Sequence, residues 1–303
     1  MSSLPYTIQD KSRISESLVT HDNINFCTVS ISPPKNTLVK GKMMFIHGFS
    51  EHAGMYYKLM ETFSDQGYEC FTFDQRGSGK TSLGKYRGRV GRTKEKIYTD
   101  VDKMMEVAWF ADEKEVQVPL VLVGHSMGGG IALSYGVKGK YRNRISDIIV
   151  TGPLIQLHES ITPHPIIVYI LSTIASWFPN LAYATLEGPT RVTSSEPWKE
   201  YLAEEVLCRG TGTLGQLNNM ISRGSDLLYG DISTINPKLR ILLLHADNDS
   251  VTSIKASEKF IDRVDLPKEN KKFLKVKNAC HSLFIEDDVV YDNVIESINA
   301  FLN

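Results

Sequence analysis

The stretch Pro119-Leu-Val-Leu-Val-Gly-His-Ser-Met-Gly-Gly-Gly-Ile-Ala-Leu-Ser-Tyr135 decides how the rest of the chain is read. Its first five residues form an apolar run suited to a buried strand, and its last five read as the body of a helix. Between them, Gly124-His-Ser-Met-Gly128 has the G-x-S-x-G spacing. In a strand-to-helix setting this spacing puts Ser126 on a sharp, strained turn. The flanking glycines are needed because side chains there would collide with neighbouring backbone. A serine so placed presents its hydroxyl at the carboxyl end of a strand, which makes Ser126 a candidate nucleophile.

Outward from that turn, short apolar runs recur at 43–46, 70–73, 148–150, 241–244 and 273–276, each bounded by Gly, Pro or polar clusters. They predict further buried parallel strands. Helical patterns at 57–63, 101–110, 131–137, 256–264 and 289–301 alternate with them, as in a doubly wound α/β sheet. Residues 6–9 and 26–31 are expected to form an antiparallel edge. The rhythm stops from 153 to 229, where no strand is predicted. That stretch holds an apolar block at 165–178, followed by helical segments at 198–207 and 214–228. The expected organisation is therefore a core of residues 1–152 and 230–303, with 153–229 as a helical insertion over the sheet. The apolar block is too short to span a bilayer, and its length suits a core or interfacial helix.

Composition narrows the function classes. The 303 residues are 42 % hydrophobic and 23 % charged, with 34 basic against 35 acidic side chains. This is ordinary globular composition, without the basic surplus that drives binding to phosphate backbones. Cys27, Cys70, Cys208 and Cys280 are far apart and form no C-x-x-C pair, so neither a disulfide framework nor a zinc knuckle is expected. The N-terminus lacks the apolar core of a secretory signal, and no stretch reaches the ~18 apolar residues of a membrane span. These features fit a reduced, cytoplasmic setting. The sequon Asn248-Asp249-Ser250 is read as accidental.

A serine hydroxyl is a weak nucleophile at neutral pH. It needs a base within hydrogen-bond reach and a carboxylate to hold that base in the right tautomer. In this setting they follow in the order Ser, Asp, His. His281, in Asn278-Ala-Cys-His-Ser282, follows the last predicted strand with one helix still to come, which singles it out among the eight histidines. His21, His158 and His164 lie in polar or irregular stretches. His47, His52 and His245 flank strand ends and are read as structural hydrogen-bonding groups. For the acid, Asp247 and Asp249 both follow the run at 241–244, and spacing leaves them level.

An oxyanion hole needs two backbone N–H groups aimed at the developing charge. Met127, next after the nucleophile, supplies one. Phe49, in the turn after 43–46 where His47-Gly48-Phe49 stands, is the expected second donor. The segment Phe73-Asp-Gln-Arg-Gly-Ser-Gly-Lys-Thr-Ser82 looks like a phosphate loop but fails the pattern. A P-loop requires Gly where Asp74 stands, and a dinucleotide fingerprint requires Gly or Ala where Ser82 stands. No nucleotide cofactor is expected, nor a metal, because no His, Asp or Cys spacing resembles a ligand set.

Together these motifs resemble the monoglyceride lipases of the α/β-hydrolase superfamily, most nearly the yeast-type enzymes. The resemblance rests on Phe45-Ile-His-Gly-Phe49, Phe71-Thr-Phe-Asp-Gln-Arg-Gly77, Gly124-His-Ser-Met-Gly-Gly-Gly130, Gly152-Pro-Leu-Ile155, Ser257-Glu-Lys-Phe-Ile261 and His281-Ser282. It is weakest between 161 and 228. It implies an α/β-hydrolase fold, a mostly parallel central sheet flanked by helices and bearing a helical cap. It also implies hydrolysis of a monoacylglycerol to glycerol and fatty acid through an acyl-serine intermediate. The family pattern His-Gly-x-x-Asp places the acid on Asp249, four residues after His245, although Ala246 replaces the family glycine. His-Gly-x-x-Glu-His matches 47–52. Glu51, His125 and Leu154 are thereby implied as substrate-binding residues. Met55 stands where animal relatives carry a basic residue, so a glycerol contact from that position is not expected here. The cap is implied to cover an acyl tunnel and to touch membranes or lipid droplets. An apolar tunnel ending at a polar centre suits a substrate with one long chain and a small head. Cys280, beside His281, is expected near that tunnel. Two rival readings remain: the same chemistry on another single-chain ester, such as a lysophospholipid or a fatty acyl ethyl ester, and a non-catalytic lipid-binding protein on a hydrolase fold. An epoxide hydrolase or dehalogenase needs a carboxylate nucleophile, and Ser126 excludes both.

Overall fold

In the computed structural model, which describes residues 3–110, 118–184 and 189–303, the sheet is built outward from β3 (Gly41–Ile46) and β5 (Leu120–His125). Every residue of these two neighbouring strands is buried, which is why 43–46 and 120–123 within them read as unbroken apolar runs. β4 (Tyr68–Phe73) flanks β3; β6 (Asp147–Thr151), β9 (Arg240–Ala246) and β10 (Lys271–Val276) follow β5. All of these pair in parallel. β1 (Ile14–His21) and β2 (Ile24–Ile31) add an antiparallel edge, giving the order β1-β2-β4-β3-β5-β6-β9-β10.

Alternation along the strands feeds a core on each face. Met44, Ile46, Leu122, Val150 and Leu243 enter one cluster, and Met43, Phe45, Val123, Ile149 and Leu242 the other. The first face is covered by α2 (Lys96–Trp109), α3 (Met127–Lys138), α6 (Leu214–Tyr229) and α7 (Ile254–Arg263). The second is covered by α1 (Tyr57–Asp65) and α8 (Asp288–Leu302). The expected alternation of strands and helices is what the chain forms: an α/β-hydrolase sheet, mostly parallel and flanked by helices.

The N-terminal edge differs from expectation. Residues 6–9 form no strand; Tyr6 and Ile8 pack partly buried against the second cluster. The edge strand is β1, mostly polar and largely exposed, with only Val19 buried, so no apolar run announced it. Asp22 and Asn23, at φ 53° and 59°, turn β1 into β2 as the tightest hairpins require.

Between β6 and β9 lie α4 (Pro165–Trp177), α5 (Glu196–Glu204) and α6. Pro165 opens α4 at its first position, where a missing N–H costs nothing. This region also holds two three-residue strands that were not expected, β7 (Ala182–Ala184) and β8 (Thr211–Thr213), paired antiparallel. Three residues are too few to carry a readable alternation. α4 rests on α6, yet only its Ala175 is buried; Ile166, Tyr169, Trp177 and the following Phe178 are 63 %, 73 %, 76 % and 66 % exposed. Among the described residues no helix is long and apolar enough to cross a membrane.

Candidate active site

Ser126 sits between the last residue of β5 and the first of α3, with φ 51° and ψ −117°. A non-glycine residue held in that region is strained, and the surrounding backbone holds it there. Its N–H donates to the Thr151 carbonyl at 3.0 Å, and its carbonyl accepts from the N–H groups of Gly130 at 3.0 Å and Leu154 at 2.8 Å. The turn fits only because residue 128 has no side chain: a Cβ at Gly128 would run into the Ile46 carbonyl.

His281 and Asp249 meet at the carboxyl end of the same sheet. The His281 Nδ1–H donates to Asp249 Oδ2 at 2.7 Å, and both residues are buried. Gly152, at φ 46°, passes beneath them; a Cβ there would lie 3.1 Å from both Asp249 Oδ2 and His281 Nδ1. Since Thr151 and Leu154 hold the Ser126 backbone, the loop after β6 ties the serine turn to the Asp–His pair. Asp249 is heavily bonded: Oδ1 accepts from the N–H groups of Val251 and Thr252, each at 2.8 Å, and Oδ2 also accepts from the Thr252 hydroxyl at 2.8 Å. Burial alone would raise its pKa. The charge of His281 and the hydrogen bonds of His245 and His281 outweigh that and hold it far below the usual carboxylate range. The choice between Asp247 and Asp249 that spacing left level is resolved in space: Asp247 is exposed, and Asp249 holds the histidine.

Opposite Met127, the loop after β3 is fixed from several sides. Gln75 donates from its side chain to the His47 carbonyl at 2.6 Å and from its backbone to His47 Nε2 at 3.0 Å. The His47 proton is therefore on Nδ1, which donates to the Gly48 carbonyl at 2.8 Å. Glu51 Oε2 accepts from Gly48 N–H and from the Tyr56 hydroxyl, each at 2.7 Å. Among the described residues the backbone N–H groups of Phe49 and Met127 donate to nothing. The Phe49 ring stacks on Tyr183 of β7, with centroids 6.3 Å apart and planes 8° from parallel.

The other implied substrate residues lie close by but are held from within. The His125 ring lies against that of His281, tilted by 52° with centroids 4.7 Å apart, and its Nε2 lies 2.8 Å from the Ser282 hydroxyl and 3.6 Å from Glu51. Complete burial pulls its pKa down to about 4 against the opposing pull of Glu51, so the ring is neutral near pH 7. Leu154 is half-buried beside the serine turn. Met55 is buried, with its Sδ 3.6 Å from Cys208 Sγ, so that position joins apolar atoms of the two chain regions. Cys280 is half-buried, with its N–H donating to Glu286 at 2.6 Å.

Three supports escaped the sequence reading. Thr252 bonds Asp249, as does His245 with its Nε2 at 3.1 Å, in keeping with the structural role read for that histidine; Gln75, the second, locks the His47 loop. The third is Asp74, in the segment that looked like a phosphate loop. Its Oδ1 accepts from Ala53 N–H at 2.7 Å and its Oδ2 from Lys80 N–H at 2.6 Å, while a Cβ at Gly79 would strike this carboxylate. The glycine-rich loop does cradle an anion, but that anion is the protein's own. Among the described residues no group of three or more His, Cys, Asp or Glu could hold a metal ion, and all four cysteines are unpaired.

A family model described as "Serine aminopeptidase, S33" matches residues 37–288. The monoglyceride lipase of Saccharomyces cerevisiae is 31 % identical over 271 residues, covering 88 % of this chain and 85 % of that protein. The chain belongs to the monoglyceride lipase family. A second relative of this family member, a putative monoglyceride lipase of Schizosaccharomyces pombe, is 27 % identical over 86 % of this chain and 67 % of its own length. Among solved structures, a soluble variant of the Saccharomyces cerevisiae lipase in complex with a substrate analog superposes with a TM-score of 0.90. It is 29 % identical and covers 100 % of this chain and 98 % of that one. The lipase fold of this family member thus extends through residues 153–229 as well as the sheet.

Proposed function

We propose that the protein is a serine hydrolase that cleaves a monoacylglycerol to glycerol and a free fatty acid. Ser126 Oγ attacks the ester carbonyl as His281 Nε2 takes its proton. Asp249 holds the imidazole through Nδ1 and stabilises the imidazolium. The Phe49 and Met127 N–H groups receive the developing oxyanion, His281 returns the proton to the leaving glycerol oxygen, and water then releases the acyl group. The observation that carries this reading is the bonded Asp249–His281 pair beside a strained serine whose two candidate oxyanion donors are unused. Family membership supports the substrate class.

In this reading residues 1–152 and 230–303 are the catalytic core and 153–229 a cap over the acyl site. Glu51 and His125 shape its polar end by fixing the turn that presents Phe49, and Leu154 lines the acyl side. The exposed apolar face of α4 supports peripheral docking on a membrane or lipid-droplet surface, from which the substrate enters. Fluorophosphonate labelling of wild type and Ser126→Ala tests the nucleophile. Fatty-acid release from monooleoylglycerol, beside monooleoyl lysophosphatidylcholine and trioleoylglycerol, tests the substrate. Labelling without monoacylglycerol turnover would keep the triad and discard the substrate; no labelling would favour a lipid-binding role.

A further inference from the structure

A small cavity of about 30 Å³ lies against Met127 and Ile131 of α3, away from Asp249 and His281 in its lining. One face of α6 closes it with Gln216, Asn219 and Arg223, residues spaced three and four apart and therefore neighbours on the helix surface. Arg223 is 5 % exposed, and among the described residues it makes no hydrogen bond or ion pair. Gln216 Oε1 is likewise buried and without a partner.

The other charges around the cavity are spoken for. Arg76 donates to both oxygens of Asp100, at 2.9 and 2.6 Å, and to Asp22 at 2.9 Å. Lys94 pairs with Asp226 at 2.6 Å, and Asp226 also binds Lys138. Arg223 alone has no counter-charge in contact. Burial lowers its pKa, and Tyr98, Glu95 and Asp226 act in the opposite sense without touching it. A guanidinium stays charged under all ordinary conditions. An unpaired buried charge is among the most costly groups a fold can carry. Water could bond its N–H groups but could not neutralise it.

We propose that this cavity is a binding site for one small monatomic anion, of which chloride is the probe, held by Arg223 with the side-chain amides of Gln216 and Asn219. The size limits the ligand class. The space exceeds the ~10–15 Å³ that one water-sized body needs and suits a ligand of about that size, a single halide. The Gln216 amide can turn its NH₂ inward, since oxygen and nitrogen there exchange by a simple flip. The anion ties α6 to the N-terminal half of α3 and stabilises the folded state by mass action.

The test is thermal unfolding of the full chain in chloride exchanged against gluconate at constant ionic strength. Wild type should show a midpoint that rises with the logarithm of chloride concentration, on the order of 4 °C at a hundredfold excess over the dissociation constant. Arg223→Met should lose that response. Asn219→Asp gives a second route that does not depend on the first variant folding. It sets a carboxylate four residues before Arg223, and it should raise the midpoint in gluconate and abolish the chloride response. Hydrolysis of a soluble ester checks that each variant is folded. A wild-type midpoint that is the same in both salts at every concentration would overturn the proposal, as would a full chloride response in Arg223→Met or Asn219→Asp.

Discussion

α3 and α4 both lack a charged face, α4 being the more apolar of the two, and they have opposite fates. Eleven of the twelve residues of α3 are buried, whereas α4 buries one of thirteen. Neither has a polar face from which periodicity could assign an orientation. α3 follows a central strand directly and is enclosed by the sheet and by α6; α4 sits outermost, with α6 beneath it. What the two helices teach is that an apolar helix declares a need for an apolar partner without naming it. For α3 the partner is the protein. For α4 the proposed partner is a lipid surface.

The largest effect should come at the start of α3. Ser126→Ala should lower kcat/KM for a soluble ester by about 10⁴-fold or more while leaving the unfolding midpoint nearly unchanged. A loss of less than tenfold would remove Ser126 as the nucleophile. Asp249→Asn should cost about 10⁴-fold by the same assay, because an amide cannot hold the same tautomer or stabilise the imidazolium. The contrast between the helices is sharpened by matched truncations. Ile131→Ala on α3 should destabilise by about 2–5 kcal/mol, and Ile170→Ala on α4 by less than about 0.5 kcal/mol, both read by denaturant unfolding. Equal costs would mean that α4 is covered within the protein.

The third contrast is electrostatic. His125 is neutral in the fold, with a pKa of about 4 against 6.5 when exposed. The unfolded chain therefore binds the extra proton first as pH falls. Stability from this residue is complete above about pH 6.5, is lost between there and pH 4, and levels off below; the loss should be about 3 kcal/mol. Subtracting the pH profile of His125→Gln from that of wild type isolates it, and a flat difference would refute the assignment. The smallest effect on the fold belongs to Trp177→Ser with Phe178→Ser. Stability should move by no more than about 0.5 kcal/mol, yet sedimentation with phospholipid vesicles should fall by about tenfold or more. Unchanged sedimentation would end the lipid-surface reading of α4.

Most of the sheet was legible because central parallel strands are buried on both faces and read as apolar runs. β1 was not, because an edge strand has one neighbour and tolerates Ser, Glu and Thr; β7 and β8 were too short to show a period. The candidate nucleophile and base were legible because G-x-S-x-G and a late histidine each follow a strand. The supports of the site were not. Thr252 and Gln75 are ordinary polar residues whose function exists only where separate loops converge, and Asp74 turned an apparent phosphate loop into a cradle for its own carboxylate.

By itself, the sequence determined the strand–turn–helix at Ser126, the order Ser, Asp, His along the sheet, and the interruption between 153 and 229, since each rests on local spacing and on apolar runs. Only the tertiary structure set Asp249 against His281, left the Phe49 and Met127 amides unused, isolated Arg223 and turned α4 outward. Those outcomes depend on which distant groups meet and which remain unpartnered. Contact across the fold, unlike periodicity, is not written in any one stretch of chain.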